Sequence, residues 1–271
     1  MAYTTIDDPS AHFQVTLYTG DGNDDRQVTN DGNSDLQPDW VWLKDRTQAE
    51  AHALFDSTRG ATKRIQSSNA NAESTEAATL KSFTSDGFTL GTSASINNGS
   101  NPDTYVAWCW KANGGTTSSN SSGSITSTVQ ANTDAGFSIV TFTGTGSAAT
   151  VGHGLGVAPA VIIAKNRDSS ANWVMRHQNT ANNYDFLGIN TTSAVTANDS
   201  VWTQTDPTTS VFSIGTASAI NQSTQKIVAY CFAEKQGYSK FGKYKGNGSA
   251  DGTFVYTGFK PAWIMMKNTG V

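Results

Sequence analysis

The chain has 271 residues, 15% of them charged, with a formal net charge of −4. That length is enough for two cores of ordinary domain size, and so weak a charge argues against a nucleic-acid grip, which needs a basic stripe. No apolar run approaches the length of a membrane span, and Met1–Thr5 lacks the basic and apolar regions of a secretory leader.

Residues 1–14 show no periodicity, and Asp7-Asp8-Pro9-Ser10 reads as a turn. They are expected to form an N-terminal arm outside the first folded unit. Val15–Tyr18 reads as a strand ended by Gly20-Asp21-Gly22. Pro38-Asp39-Trp40-Val41-Trp42-Leu43-Lys44 reads as a central strand. Trp40 and Trp42 point to one face and Val41 and Leu43 to the other, so both faces are apolar and both should be covered. Gln48–Phe55 and Ala70–Leu80 are expected to be turns or one short helix. Phe83–Gly91, with Asp86-Gly87 between apolar runs, reads as a hairpin. Tyr105–Trp110 closes the unit.

The central stretch returns as Pro159–Lys165 and as Pro261–Lys267, each time with Lys six positions after Pro and with Asp45, Asn166 or Asn268 next. A Gly-x-Gly turn lies upstream of each: Gly20/Gly22, Gly144/Gly146 and Gly246/Gly248. The interval from first Gly to Pro is 18, 15 and 15 residues. Val106-Ala107-Trp108-Cys109-Trp110 matches Val228-Ala229-Tyr230-Cys231-Phe232, with Lys-to-Cys intervals of 65 and 66 residues. Phe88 to Gly91 and Phe212 to Gly215 precede the two closures. Such fixed intervals mark an internal repeat. The expected organisation is an arm (1–14), a first module (15–112), a flexible Gly/Ser/Thr/Asn-rich linker (113–135), a second module (136–235) and the start of a third (236–271). Short strands separated by turn residues predict an all-β fold of tandem antiparallel β-sandwich modules, jelly-roll-like, with a partial third copy.

Thr5–Ser10, Leu17–Gly22, Pro38–Lys44, Leu54–Gly60, Ser85–Gly91 and Tyr105–Ala112 together resemble a repeat domain of structural proteins from tailed bacteriophages, especially marine ones. The resemblance covers the first module fully and the second well. It implies a virion component such as a tail fibre, spike or other appendage engaged in assembly and host attachment, and it implies no enzyme and no cofactor. Ser, Thr, Asn and Gly at the polar positions suit such a surface. Residues 1–14, with little to bury, are expected to attach the protein to other virion proteins or to pair with a neighbouring chain, and host surface polysaccharide is the further partner expected. Two alternatives are a carbohydrate-binding receptor-recognition protein and a glycan depolymerase. The incomplete third copy would leave Trp263–Met266 with open edges, a hazard unless covered. The expectation is a natural chain continuing beyond Val271, compatible with a homo-oligomer, trimeric by analogy with phage fibres.

The sequence assigns no catalytic, cofactor-binding or metal-binding residue. His52 and His177, taken as equivalent positions, read better as structural than as binding residues. Asp31, Asn33 and Asp35 alternate as calcium ligands do, but Leu36 and Trp42 stand where a calcium loop needs Gly and Glu. Glycan cleavage needs two carboxylates at a set separation, and the four glutamates, Glu50, Glu73, Glu76 and Glu234, do not repeat between modules. Trp202 is the best candidate for an exposed sugar-stacking ring, though a core position suits it better. Cys109 and Cys231 read as unpaired core residues of separate modules.

Overall fold

A computed structural model describes residues 3–100 and 103–270. The chain folds as an all-β sandwich of antiparallel sheets, and the two short α-helices have a single turn each. In the first half, Phe13–Thr19, Thr104–Trp110, Trp40–Asp45 and Ala53–Asp56 form one sheet in that order. A smaller sheet of Arg26–Val28, Gly87–Leu90 and Leu80–Thr84 backs it. Val41, Leu43, Phe55, Phe88, Leu90, Tyr105 and Cys109 fill the space between them.

In the second half, Phe137–Thr143, Lys226–Phe232, Val161–Asn166 and Val174–His177 take the same order within an eight-stranded sheet. Register agrees too. Trp110 lies opposite both Phe13 and Trp40, and Phe232 lies opposite both Phe137 and Val161. Ala149–Gly152 pairs with Val211–Ile214 to back this sheet, enclosing Val140, Phe142, Ile162, Phe212 and Cys231. The cysteines are free and lie in different cores.

A third core explains why the central strands are apolar on both faces. The two main sheets face each other across Trp40, Trp42, Trp110, Phe137, Ile139, Val161, Ile163, Tyr230 and Phe232. Trp40 stacks on Tyr230 with ring centroids 4.3 Å apart. Val41 and Leu43, and likewise Ile162 and Ala164, point away into their own units. Alternation along each strand thus separates the face that makes a unit from the face that joins the units.

The repeated polar residues finish the strands. Pro38 and Pro159 sit just outside the ladder, where Asp39 N and Ala160 N donate to Trp110 O and Phe232 O. At the other end, Asp45 Oδ1 accepts from Thr47 N and Gln48 N, and Asn166 Oδ1 from Asp168 N and Ser169 N. The preceding lysine closes each turn. Lys44 Nζ donates to the carbonyls of Asp45 and Gln48, and Lys165 Nζ to those of Asn166 and Ser169.

Several expectations need correction. Gln48–His52 is irregular, Ala53–Asp56 is a strand, and the single-turn helices are Ala94–Asn97 and Ser218–Asn221. The hairpin turn is Ser85-Asp86, because Gly87 already pairs with Thr84. Gly87 has φ +113° and lies so near Val28 O that a Cβ would meet it at 2.0 Å. The stretch 113–135, expected as a flexible spacer, supplies the strands Ser118–Asn120 and Ser127–Asn132 to the large sheet. Its start is held by Asp39, whose carboxylate accepts from the N–H groups of Ala112, Gly114 and Gly115. Composition misled here, since pairing with Phe137–Thr143, and not residue preference, makes Ser127–Asn132 a strand.

The arm does not lie outside the first unit. Met1 and Ala2 fall outside the described residues, but Ile6 is buried, Asp8 accepts from Ser34 Oγ, and the first strand begins at Phe13. No described residue from 240 to 270 lies in a strand. Along Pro261–Lys267 burial alternates, with Trp263 and Met265 against the shared core and Ile264 and Met266 exposed, so only one face is covered.

Candidate functional site

Two places gather polar side chains in a way that goes beyond finishing strands. The first is the junction between the two halves. Asp56 ends a strand of the first sheet with its side chain turned toward the second. Its Oδ2 accepts from Tyr230 Oη at 2.6 Å and pairs with Arg59 Nε. Arg59 also donates to the carbonyls of Leu54 and Lys63 and to Glu73 Oε2. Glu73 then receives Arg167 from the second half through both oxygens, at 2.9 Å each. Burial works against the Arg59 charge, but Asp56, Tyr230 and Glu73 hold its pKa above the usual arginine value. Burial pushes Glu73 up, and Arg167 and Arg59 outweigh it, leaving its carboxyl below the ordinary range. Burial also drives the Tyr230 hydroxyl well above its usual value.

The loop around this network is laced to the second half. Glu73 N donates to Arg167 O, Ala171 N to Ala70 O, and Trp173 Nε1 to Gln66 O. Lys165 Nζ reaches Ala70 O at 3.3 Å, and burial lowers its pKa to about 8. From the opposite side, Gln130 donates to Ser57 Oγ and Thr58 Oγ1. Sequence reading missed all of these except Glu73. Asp56 and Arg59 lie in a run that carries the resemblance, but no spacing in the chain pairs Asp56 with Tyr230, 174 positions away, or Glu73 with Arg167, 94 positions away.

The second place is an open groove of about 410 Å³ lined by Arg176, His177, Gln178, Asn182, Asn183, Tyr184 and Asp206. Arg176 is held by Asp206 and by Asn183 O, and Asp185 accepts from Asn182. The groove offers a fixed cation, amides and a half-buried phenol, a set suited to hydroxyl-rich ligands.

His177 lines this groove, and its Nδ1 accepts from Asn179 N. His52 lies elsewhere, accepting from Trp42 Nε1 at 2.7 Å. The two are not equivalent: Ala53 and Val174 share a register, so His52 matches Trp173, and His177 matches Asp56. Burial lowers the pKa of both. Asp31, Asn33 and Asp35 are exposed, and among the described residues no group of three His, Cys, Asp or Glu side chains gathers as metal ligands do. Glu50 is exposed, Glu76 pairs with Arg64, and Glu234 accepts from Gln178 and Phe241 N. Trp202 is a core residue packed against Phe212, not an exposed ring.

One repeated side chain escaped the sequence reading. Asn97 and Asn221 each end a single-turn helix, fully buried. Asn97 Oδ1 accepts from Asp21 N, and its Nδ2 donates to Gly91 O; Asn221 does the same with Thr145 N and Gly215 O. Each clamps the Gly-x-Gly turn to the Phe-x-x-Gly element. The doubled Ile-Asn pair, Ile96-Asn97 and Ile220-Asn221, was the available signal.

The chain belongs to the family described as domain of unknown function DUF7483, whose model matches residues 8–271. No curated protein and no solved structure matches it.

Proposed function

We propose that this protein is a non-enzymatic structural component of a bacteriophage virion, a tail fibre, spike or other appendage that serves assembly and host attachment. The phage assignment rests on the sequence resemblance of Thr5–Ala112. The mechanical part rests on one observation, the junction, where an aromatic core and a buried ion network join two sandwiches face to face. Two units so joined move as one body, because parting them would expose Trp40 and Tyr230 and break the Arg167–Glu73 ion pair and the Tyr230–Asp56 hydrogen bond. A stiff double unit can transmit position along an appendage while its loops meet a partner. Mass spectrometry of purified particles, with antibody-labelled electron microscopy, tests the reading. Absence from intact particles would overturn it.

A second reading, a carbohydrate-binding role in receptor recognition, is favoured by the polar groove at Arg176–Tyr184. On a glycan array, Arg176→Ala and Tyr184→Ala should reduce any signal given by the unchanged protein. A signal indifferent to both variants would remove the groove from consideration.

A further inference from the structure

The two units differ at one buried corner, where the central strand ends beside the start of the closing strand. In the second unit Asn166 ends Val161–Asn166, and Gln225 precedes Lys226–Phe232. Asn166 Oδ1 accepts from two backbone N–H groups, and its Nδ2 donates to Gln225 Oε1 at 2.6 Å and to Ser218 O at 2.9 Å. That corner is neutral, with donors matched to acceptors. In the first unit Asp45 and Asp103 hold the same two places, 2% and 1% exposed. Asp45 lies opposite Tyr105, and Asp103 stands two residues before Tyr105, on the same face and within diagonal reach of Asp45.

Asp45 Oδ1 accepts from Thr47 N and Gln48 N, as Asn166 Oδ1 accepts from its own turn. Asp45 Oδ2 therefore stands where Asn166 has its Nδ2, an acceptor in the place of a donor. Tyr105 Oη has taken over the helix carbonyl, donating to Ala94 O at 3.0 Å. Among the described residues, Asp45 Oδ2 is the one buried carboxylate oxygen without a hydrogen-bond partner. Asp103 accepts from two amide side chains, Gln48 Nε2 at 3.3 Å and Asn98 Nδ2 at 2.9 Å. No Lys or Arg among the described residues forms an ion pair with either acid. Lys44, next to Asp45 in the chain, directs its ammonium to the carbonyls of Asp45 and Gln48. Two buried carboxylates without a counter-charge are costly unless they hold a cation.

We infer that Asp45 and Asp103 form a binding site for one divalent cation of calcium's class, a site that the second unit lacks. Two carboxylates call for a double positive charge. Carboxylate, carbonyl and amide oxygens suit a hard cation, whereas zinc and copper favour nitrogen and sulfur. Calcium takes about six to eight oxygen ligands, so carbonyl, amide and water oxygens complete the shell around the two acids. Gln48 is the first of these. It is exposed, its amide already lies against Asp103, and turning that amide over presents Oε1 in place of Nε2. Its exposure also gives the ion a way in from solvent. The bound ion ties the end of Trp40–Asp45 to the start of Thr104–Trp110, as the Asn166–Gln225 bond ties the matching strands of the second unit. Stability of the first unit then follows calcium concentration by mass action.

The probe is calcium itself, added to the full chain. Equilibrium dialysis should find a single ion bound per chain. Calcium at about 5 mM exceeds even the weak affinities of extracellular calcium modules, about 10⁻³ M, and should raise the melting temperature over that in chelator by at least about 2–4 °C. Asp45→Asn with Asp103→Gln installs the second unit's pair, which closes without an ion. This variant should fold, bind no ion and melt at one temperature with and without calcium. Asp45→Asn alone keeps the test readable if the double variant fails to fold, and it should weaken binding at least about tenfold. An unchanged chain that binds no calcium, or binding and a melting shift that survive both variants, would overturn the inference. So would an unchanged chain that calcium leaves unmoved and mild acid stabilises relative to the double variant, since a shared proton would then hold the two carboxylates together.

Discussion

Replacing Glu73 by Ala tests whether the junction joins the two halves energetically. Glu73 sits between Arg59, whose side chain is wholly buried, and Arg167, which is 13% exposed. Removing one partner of a buried ion pair costs about 3–5 kcal/mol. Arg59 keeps Asp56, and Arg167 can turn toward water, so the lower end applies, about 3 kcal/mol. For a chain of this size that corresponds to a fall of about 6–12 °C in melting temperature. Denaturant unfolding followed by tryptophan fluorescence measures it, and Arg167→Ala with the double variant completes a cycle. The cycle should return a coupling of about 1–3 kcal/mol. The pH dependence has a definite sign. Glu73 titrates lower in the folded chain than its ordinary value of 4.5, so its contribution is full above that value and fades as pH falls below it. The advantage of the unchanged protein over Glu73→Gln should therefore hold at neutral pH and shrink in acid. If Glu73→Ala lies within about 0.5 kcal/mol of the unchanged protein, or the cycle is additive, the network does not hold the halves together.

Other predictions follow from single features. Burial lowers the Lys165 pKa to about 8, so the folded chain gives up that proton first and stability should rise as pH climbs above 8; in Lys165→Met this rise should be absent from pH-dependent unfolding curves. Burial pushes Cys231 up to about 12 and raises Cys109 as well, so both thiols should react with a thiol reagent only after denaturation, and fast labelling of the native protein would contradict the core placement. Deleting residues 1–12 removes buried Ile6 and the Asp8–Ser34 bond and should lower the melting temperature, whereas an unchanged value would mean the arm is loosely held. Gly144→Ala should destabilise the chain by at least about 1–3 kcal/mol, because its Cβ would collide with Gln222 O.

Local chemistry was legible in the residues. The period of two along Trp40–Leu43 and Val161–Ala164 marked strands apolar on both faces, and Pro before them and Lys-Asp or Lys-Asn after them marked their ends. These features act within a few residues, through backbone geometry and short hydrogen bonds, so order along the chain is enough to read them. The all-β class followed from the same signals. What covered the second face of each central strand was not legible. Trp40 meets Tyr230, and Glu73 meets Arg167, only because two sheets pack together, and no interval in the chain encodes that meeting. The stretch 113–135 was misread for a related reason: Ser127–Asn132 is a strand because Phe137–Thr143 pairs with it and Gln130 finds Ser57, not because its composition favours one. The third copy shows the converse. Its Pro261–Lys267 carries the same local pattern as the other two, yet it lies in no strand, because a strand exists only where a second strand pairs with it and none of the described residues does so here.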